Sequence, residues 1–410
     1  MFLAEQSLAK RRTIMVLAVG CLCFASTGLA KPWKRHTIDS SSKEVGKLGA
    51  DGVRLADVDG DGLPDITTGW EQGGAIVVYR NPGAAKSKST WPSVTVGMVR
   101  DPEDAVFIDL DGDGKLDVVS SCEGRGRTMY VHWAPTKRGD YWRPSAWQTK
   151  PIPATQGKQL WMFATPAQID GVGAKDLFVS SKGGNATIGW LRRKTDSGRN
   201  VSALEFIKLR SSGWVMSLEA LDMDADDDVD LLFSDRKGPR RGVGWLENPG
   251  GEKASRPSEW REHMLGGEKH EVMFLDVGNV IGDPAVDIVC TTRNKEILFF
   301  ERSDDSWKTS VIPNPMGLPN GKAVAIGDVD GDGQNDLVHT TNTGGNRSAP
   351  GVTWLKRLGQ TWQAHDISGN VGVKFDLIKL ADLDGDGDLD AITCEEVDNL
   401  GVFWYENPHR

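Results

Sequence analysis

Residues 326–341, IGDVDGDGQNDLVHTT, decide the fold of this chain. Four Asp residues stand at positions 1, 3, 5 and 9 of a nine-residue loop, residues 328–336, with Gly at position 6. Carboxylates at this spacing converge as the chain turns, and Gly allows the tight backbone conformation. Short runs of apolar and β-branched residues flank the loop, as in strands. The stretch therefore predicts a β-hairpin whose loop offers hard oxygen ligands to a cation.

The same loop recurs at regular intervals. Five copies have all four Asp, although the copy at residues 222–230 has Asp227 where the others have Gly. Two copies are degraded: one reads Gln168, Asp170 and Val172 before Asp176, and the other, expected to be longer, starts at Asp276 and ends at Asp287. The last Asp of the seven copies falls at residues 65, 117, 176, 230, 287, 336 and 390. A period of about 54 residues is typical of a repeat architecture.

Each repeat also predicts four strands. Its third run resembles GVGWLENP and its fourth usually begins with Trp, as in WREHML. Four antiparallel strands repeated seven times predict an all-β, seven-bladed β-propeller. Residues 33–38 read as a fourth strand without its first three, and the chain ends on a third strand. We therefore expect the N-terminal strand to join the last blade and close the ring, so that residues 31–410 form one propeller.

The composition restricts the class of protein. The net charge is −10 and there is no basic block, which argues against a nucleic-acid partner. Two of the five Cys, Cys21 and Cys23, lie near the N-terminus. The other three, Cys122, Cys290 and Cys394, end apolar runs and are interpreted as buried strand residues rather than a disulfide framework.

The N-terminus predicts a signal peptide over residues 1–30. Lys10, Arg11 and Arg12 precede an apolar run, and small residues before Lys31 suit a cleavage site. The run is short for a membrane span, and no other stretch of the mature chain could cross a bilayer. We expect a secreted, extracellular or periplasmic protein; lipid anchoring at Cys21 is the less favoured alternative, and the arginine pair also permits twin-arginine export.

The loops DVDGDGLPD, DLDGDGKLD, DVDGDGQND and DLDGDGDLD resemble FG-GAP/VCBS repeats, which also form the calcium-loop blades of integrin α-subunit heads. The resemblance covers residues 33–410 and implies a propeller fold with calcium. The third and fifth repeats depart from it because their loops are degraded, and the literal FG and GAP strings are absent. Similar propellers occur in aldos-2-ulose dehydratase, a sugar lyase, but this chain has no cupin partner domain.

Calcium is the metal that the loops predict, in about five structural sites. The last ligand is Asp at position 9 rather than Glu at position 12, and strands flank the loop, so these are not EF-hands. The negative charges of each loop would repel one another in the absence of a cation. The expected ligands are the Asp residues of the five complete loops: Asp57, Asp59, Asp61, Asp65, Asp109, Asp111, Asp113, Asp117, Asp222, Asp224, Asp226, Asp230, Asp328, Asp330, Asp332, Asp336, Asp382, Asp384, Asp386 and Asp390.

Residues that the repeat does not explain gather on the face opposite the calcium loops, in the connections between second and third strands and between neighbouring blades. Aromatic rings beside Arg, Lys and carboxylates suit an acidic glycan or another sugar. The ligand-binding candidates are Trp70, Arg125, Arg127, Trp161, Trp214, Arg236, Arg240 and Arg293. The same face is expected to carry further charged and polar residues: Asp51, Glu103, Lys158, Lys182, Asp235, Lys237, Arg241, Glu271, Lys322, Asn342, Arg347, Lys374, Glu395 and Glu396.

Two functions follow from this face. The first is a binding or adhesion module that recognises a polysaccharide or an extracellular protein. The alternative is a carbohydrate-active enzyme, a lyase, dehydratase or hydrolase, with its site in the central funnel. It would use His270 or His339 as base and Glu71, Asp104 or Glu123 as acid. A third hypothesis is that the chain is a structural propeller in a cell-surface assembly.

Overall fold

The computed structural model describes residues 32–193, 198–283, 285–303, 306–313 and 320–409. They form seven four-stranded antiparallel sheets, the blades of an all-β propeller. The predicted signal peptide lies outside the described residues. Among the described residues, no helix has the length and apolar character needed to cross a bilayer.

The strands follow one another in the predicted order. The N-terminal strand is β1 (Lys34–Asp39). Blade 1 contains β2 (Ala50–Ala56), β3 (Asp65–Trp70), β4 (Ala75–Tyr79) and β5 (Ser93–Met98). Blade 2 contains β6 (Pro102–Ile108), β7 (Asp117–Cys122), β8 (Met129–Trp133) and β9 (Gln148–Pro151). Blade 3 contains β10 (Leu160–Ala167), β11 (Asp176–Lys182), β12 (Thr187–Arg193) and β13 (Leu204–Ser211). Blade 4 contains β14 (Val215–Leu221), β15 (Asp230–Asp235), β16 (Gly242–Glu247) and β17 (Arg261–Gly266).

The remaining blades complete the ring. Blade 5 contains β18 (Val272–Gly278), β19 (Asp287–Thr292), β20 (Glu296–Ser303) and β21 (Ser306–Pro313). Blade 6 contains β22 (Asn320–Gly327), β23 (Asp336–Asn342), β24 (Val352–Leu358) and β25 (Thr361–Asp366). Blade 7 contains β26 (Phe375–Ala381), β27 (Asp390–Glu395) and β28 (Gly401–Glu406), and β1 supplies its fourth strand. The helical segments are short 3₁₀ turns at Lys43–Val45, Ala84–Lys86, Arg138–Asp140, Pro144–Ala146, Val201–Ala203, Gly251–Ser255 and Pro257–Glu259.

The core lies between neighbouring blades, because each sheet buries both faces. One apolar cluster joins Val119 and Trp133 of blade 2 to Trp161 and Leu177 of blade 3. The third-strand Trp residues at positions 133, 190, 245, 354 and 404 are all buried. The three cysteines of the propeller are buried and unpaired, in β7, β19 and β27. The first strands of neighbouring blades contact one another and form the inner wall, and the start of each lies beside the end of the second strand.

Candidate functional site

A cavity of about 300 Å³ lies where the first strands begin and the second strands end. All seven blades contribute to its wall. The lining residues are Asp51, Glu71, Glu103, Glu123, Lys182, Trp214, Met216, Arg236, Met273, Arg293, Asn320, Gly321, Lys322, Asn342, Lys374 and Glu396. Twelve of these sixteen belong to the set that the sequence placed on this face. The cavity is therefore the central funnel of the propeller.

Strand register explains why these residues meet. The starts of the first strands pair with one residue near the end of each second strand: Trp70, Cys122, Ser181, Asp235, Thr292, Thr341 and Glu395. The residue after each of them belongs to what we call the rim ring: Glu71, Glu123, Lys182, Arg236, Arg293, Asn342 and Glu396. Equivalent first-strand residues form the inner ring: Asp51, Glu103, Met162, Met216, Met273, Lys322 and Asp376. All seven rim-ring residues line the cavity.

The two rings separate charge across the funnel. Blades 1 and 2 contribute only acidic side chains to the rings, whereas blades 3, 4 and 5 contribute a cation to the rim and Met to the inner ring. Met216 and Met273 share an apolar cluster with Phe163 and Phe274, whose rings lie 5.2 Å apart, edge to face. The cavity thus has an acidic wall, a basic wall and a partly apolar floor.

Lysines moderate the acidic side. Lys182 contacts Glu123 and lies 3.7 Å from Glu103, Lys322 contacts Asp376, and Lys374 contacts Glu396. Burial is the largest cause that raises the pKa of Glu103 and raises that of Asp51 well above its ordinary value, and neighbouring carboxylates add to both shifts. Raised carboxyl pKa values in a cleft are a common feature of functional sites.

Trp214 stands on the basic wall with cations around its ring. Lys182 Nζ, Arg236 Cζ and Lys237 Nζ lie 4.7, 4.4 and 4.9 Å from the ring centroid. Such contacts stabilise a cation against an aromatic face. They also keep the guanidinium of Arg236 against the indole, at the cavity wall.

Carboxylates at the ends of two second strands hold the loops that carry these side chains. Asp235, buried in blade 4, accepts hydrogen bonds from the backbone N–H groups of Gly213 and Trp214 and pairs with Arg210 at 2.7 Å. Glu395, buried in blade 7, accepts from the N–H groups of Val373 and Lys374, both at 3.2 Å. Both loops are therefore fixed by hydrogen bonds that an aliphatic residue could not make.

Several predicted site residues do not line the cavity. Trp70 and Trp161 are fully buried and donate to Tyr79 Oη and Thr155 O. Asp104 is buried and binds Arg54 through both oxygens, at 3.0 and 3.2 Å. These three side chains stabilise contacts within or between blades.

The three remaining arginine candidates lie outside the cavity as well. Arg125 and Arg127 are exposed, and Arg127 donates to Lys158 O. Arg240 contacts Glu262, which lies on the outer strand of blade 4. The connections between second and third strands begin at the axis but run outward, so only their first residues reach the funnel.

The two candidate histidines are also placed elsewhere. His339 is buried in β23, where neither ring nitrogen has a hydrogen-bond partner in the described part of the chain, and burial lowers its pKa to about 4. His270 Nε2 lies 3.1 Å from Glu296 Oε2 at the start of β20. The structure brings Glu71 and Glu123 to the cavity without either histidine.

Met216, Met273, Asn320 and Gly321 were missed by sequence reasoning. They occupy the starts of first strands: Met216 and Met273 are in register with Asp51 and Glu103, and Gly321 and Asn320 lie one and two residues before that position. Aligning the repeats at this position would have identified them, because every blade places the same position at the axis. These four residues are uncharged, and the sequence contains no other signal that places them at the cavity.

The acidic loops lie at the other ends of the same strands. The position 1 carboxylate binds its own loop: Asp57 accepts from the N–H groups of Gly60 and Gly62, at 2.7 and 2.9 Å. In the loops at residues 57, 109 and 222, three carboxylates place one oxygen each within 4.8 Å of one another. Within the described residues, Oδ1 of the position 3 residues Asp59, Asp330 and Asp384 is buried without a hydrogen-bond partner. These oxygens fit a hard cation.

Position 9 has a structural use of its own. Asp65 accepts from Val58 N in the loop and from Asn81 N just beyond the third strand, at 3.0 and 2.8 Å. Asp117, Asp230, Asp336 and Asp390 make the same pair of contacts in their blades. Burial raises the pKa of Asp65 to about 6 and that of Asp117 to about 8. The last ligand of the set, at position 9, thus also ties the loop to the third strand.

The loop of blade 5 differs from the expectation. Asp276 lies inside β18 and accepts from Ile326 N of blade 6 at 2.8 Å, so it does not begin the loop. The loop begins at Asn279, which accepts from Gly282 N, and therefore has the same nine residues as the others. The prediction of a longer loop was wrong, because Asp276 is a strand residue whose partner lies in the neighbouring blade.

Comparison with known proteins supports the repeat and the fold. The family model of the FG-GAP-like repeat matches residues 57–120. Chains in two crystal structures of BBS1N in complex with ARL6DN, soaked with mercury and with lead, are similar with TM-scores of 0.54 and 0.53. Both are 10% identical, and the matches cover 92% and 91% of this chain and 97% and 98% of those chains. No match was found among curated protein sequences.

Proposed function

We propose, from the premise that the chain is a seven-bladed propeller carrying FG-GAP-like repeats, that it is a binding module which takes the end of a carbohydrate into its central cavity. The rim ring is the observation that carries this proposal. Six of its seven residues are charged, and all seven line one cavity. Placing charged groups in a cavity costs desolvation free energy. Packing of the propeller core alone does not require charged groups at this position.

The chemistry of the wall favours a polyhydroxylated ligand. Glu71, Glu103 and Glu123 offer acceptors for hydroxyl groups, and the partly buried Trp214 offers an indole. A volume of about 300 Å³ is at the lower end of small-molecule sites, which suits one or two sugar rings rather than a protein loop. A protein partner remains the alternative occupant, since the similar chains come from a complex of BBS1N with ARL6DN.

We further propose that the five complete loops bind calcium at the opposite face. The unpartnered oxygens of Asp59, Asp330 and Asp384 support this assignment. When bound, the ion would supply positive charge that offsets the repulsion among the Asp residues of each loop. Sites of this type in extracellular modules are weak, with Kd of about 10⁻⁴ to 10⁻³ M. This fits the signal peptide that the first 30 residues predict and hence a secreted protein.

Equilibrium binding to sugars tests the function. The mature, calcium-loaded chain would be titrated by calorimetry with neutral and acidic oligosaccharides. We expect at least one to bind, and Glu103→Gln to weaken it about tenfold, because the amide no longer accepts through both oxygens. Arg125→Gln, at an exposed residue outside the cavity, is the control. Undiminished binding by Glu103→Gln would refute the cavity as the site.

The same mixtures test the enzyme alternative. The raised pKa values of Asp51 and Glu103 favour a general acid in the cavity. Sugar masses would be compared with a boiled control. Loss or gain of one water would establish a lyase or hydrolase, whereas unchanged masses with retained sugar would support the binding module.

A further inference from the structure

Unsatisfied hydrogen-bond donors concentrate on the basic wall of the cavity. Arg236 is only 7% exposed, yet its Nε has no acceptor in the described part of the chain. The indole Nε1 of Trp214 is buried and equally without an acceptor among these residues. Buried donors are nearly always paired in folded proteins. Two orphaned donors on stacked neighbouring side chains therefore point to an acceptor that the ligand supplies.

The charge at this wall is also incompletely balanced. Arg236 Nη2 and Arg293 Nε both lie 3.5 Å from Glu271 Oε2, and Lys237 Nζ lies 3.9 Å from Glu271 Oε1. One carboxylate thus serves three cations, at distances longer than good charged hydrogen bonds. Burial lowers the pKa of Arg236 and the neighbouring Arg293 adds to this, whereas Glu271 opposes it. An additional anion would offset both the desolvation of Arg236 and its repulsion by Arg293.

The group is held in place before any ligand arrives. Asp235 accepts from Trp214 N at 2.9 Å and pairs with Arg210, which is itself buried. Arg236 N donates to Trp214 O at 2.8 Å, which fixes the two residues to each other. Stacking against the indole, 4.4 Å from its centroid, restricts the guanidinium further. Pre-organised donors of this kind bind an anion without much loss of side-chain entropy.

We infer that Arg236, Arg293 and Trp214 form a subsite for the carboxylate of a sugar acid. The hydroxyl groups of that sugar face Glu71, Glu103 and Glu123 on the acidic wall of the cavity. This rests on the proposed function of the cavity and narrows its ligand to uronic acids. A guanidinium presents two parallel donors to a planar carboxylate, and the indole N–H adds a third direction. The acidic wall on blades 1 and 2 would repel a second carboxylate, so one acidic group per bound sugar unit is expected.

Matched monosaccharides test the subsite. Glucuronate, glucose and glucose 6-sulfate would be titrated into the calcium-loaded chain by ligand-observed NMR. We expect glucuronate to bind at least tenfold more tightly than glucose and to lose affinity as NaCl is added. Arg236→Gln should reduce the preference for glucuronate to within twofold. Arg240→Gln, at an exposed arginine of the same blade, should leave it unchanged, and thermal unfolding would establish that both variants are folded.

The outcomes separate the subsite from the function on which it rests. Equal affinities for glucuronate and glucose would overturn the subsite and leave the cavity as a neutral-sugar site. Tighter binding of glucose 6-sulfate would overturn the assignment to a carboxylate. A preference that survives in Arg236→Gln would place the anion elsewhere. Binding of none of the three sugars would count against the proposed function and the subsite together.

Discussion

Ala225 and Asp227 occupy positions 4 and 6 of the loop in blade 4, where their φ angles are 66° and 71°. Glycine fills both positions in the other complete loops, as with Gly112 and Gly114 at 75° and 78°. The left-handed conformation costs an L-residue roughly 1–2 kcal/mol, which Gly avoids. The geometry of the loop is therefore imposed by its hydrogen bonds, and blade 4 adopts it in spite of its residues.

Ala225→Gly should stabilise the protein by about 1 kcal/mol, since the exposed methyl group makes no buried contact. Gly112→Ala, the reverse change at the same position of blade 2, should cost about as much, because an added Cβ there meets only Ala174 Cβ at an ordinary 3.5 Å. Urea unfolding in excess calcium would measure both. A destabilised Ala225→Gly would contradict the assignment of strain to this residue.

His339 shows how burial decides the role of a histidine. Its pKa of about 4, lowered from 6.5 by burial, means that the unfolded chain takes up the proton first as pH falls. The stability contributed by neutral His339 is therefore complete above pH 6.5 and decreases towards pH 4. The residue is a buried packing group that weakens the fold in acid.

His339→Leu should increase stability more at pH 5 than at pH 8, by about 2 kcal/mol, because the leucine has no proton to gain. Denaturant unfolding at the two pH values gives the difference directly. The same stability change at both values would show that His339 does not titrate between the folded and unfolded states.

At the scale of the element, the acidic loop has two roles that the sequence pattern does not distinguish: its carboxylates are the proposed ligands of a cation, and one of them holds the loop to the third strand. Position 9 ties the loop to the third strand through buried backbone hydrogen bonds, whereas Asp59, at position 3 of blade 1, pairs with Arg80 at 2.8 Å. Asp176 and Asp287 keep position 9 in the two blades without complete loops, and they also accept backbone N–H groups. The hairpin therefore needs position 9 with or without metal.

Asp65→Ala should cost about 3 kcal/mol in chelator, since two buried N–H groups lose their acceptor, and more with calcium, because a ligand is lost as well. Asp59→Ala should be costly only with calcium, because its pairing with the half-exposed Arg80 is a surface ion pair. Thermal unfolding in the two buffers separates the roles. Equal effects of both substitutions in chelator would refute the division.

The number of bound ions is a further prediction at this scale. Elemental analysis of the chain after dialysis with excess calcium should find five ions. Asp59→Asn should reduce this to four, because position 3 is a ligand. Asp170→Asn, at the same position of the degraded loop in blade 3, should leave five. A count that is unaffected by Asp59→Asn would mean that the blade 1 loop binds no ion.

At the scale of the whole molecule, β1 joins three blades. It pairs with β28, with His36 opposite Trp404 and the two rings stacked at 4.6 Å. Trp33 N donates to Ile367 O of blade 6, and Trp91 N of blade 1 donates to Ile38 O. Closure of the ring thus rests on residues 33–39 and leaves no open sheet edge at blade 7.

A mature chain that begins at Ser40 should lose this closure. We expect it to expose the edge of β28, form oligomers in size-exclusion chromatography and unfold at lower temperature. A peptide of residues 31–39, added separately, should pair with β28 and restore the monomer. A truncated chain that stays monomeric and equally stable would show that closure does not depend on β1.

The number of blades, the order of the strands and the closing strand follow from sequence, because loops of fixed pattern recur at a fixed period and turn residues bound each strand. The face that carries the cavity was also predictable. The tertiary structure alone decided which side chains meet there. Trp70 and Glu71 are neighbours in sequence, yet Trp70 packs in the core and Glu71 lines the cavity.

The physical reason is the alternation of side chains along a strand, by which a shift of one residue moves a group from the axis to the interface between blades. Arg236 and Arg240 illustrate the same limit over a longer distance: they share one connection, but only its first residue reaches the funnel. Sequence by itself determined the repeat and its hydrogen-bonded loops, which are local. The convergence of seven distant strand ends on one cavity is a property of the closed ring. The strand register within each blade decides which side chains line that cavity.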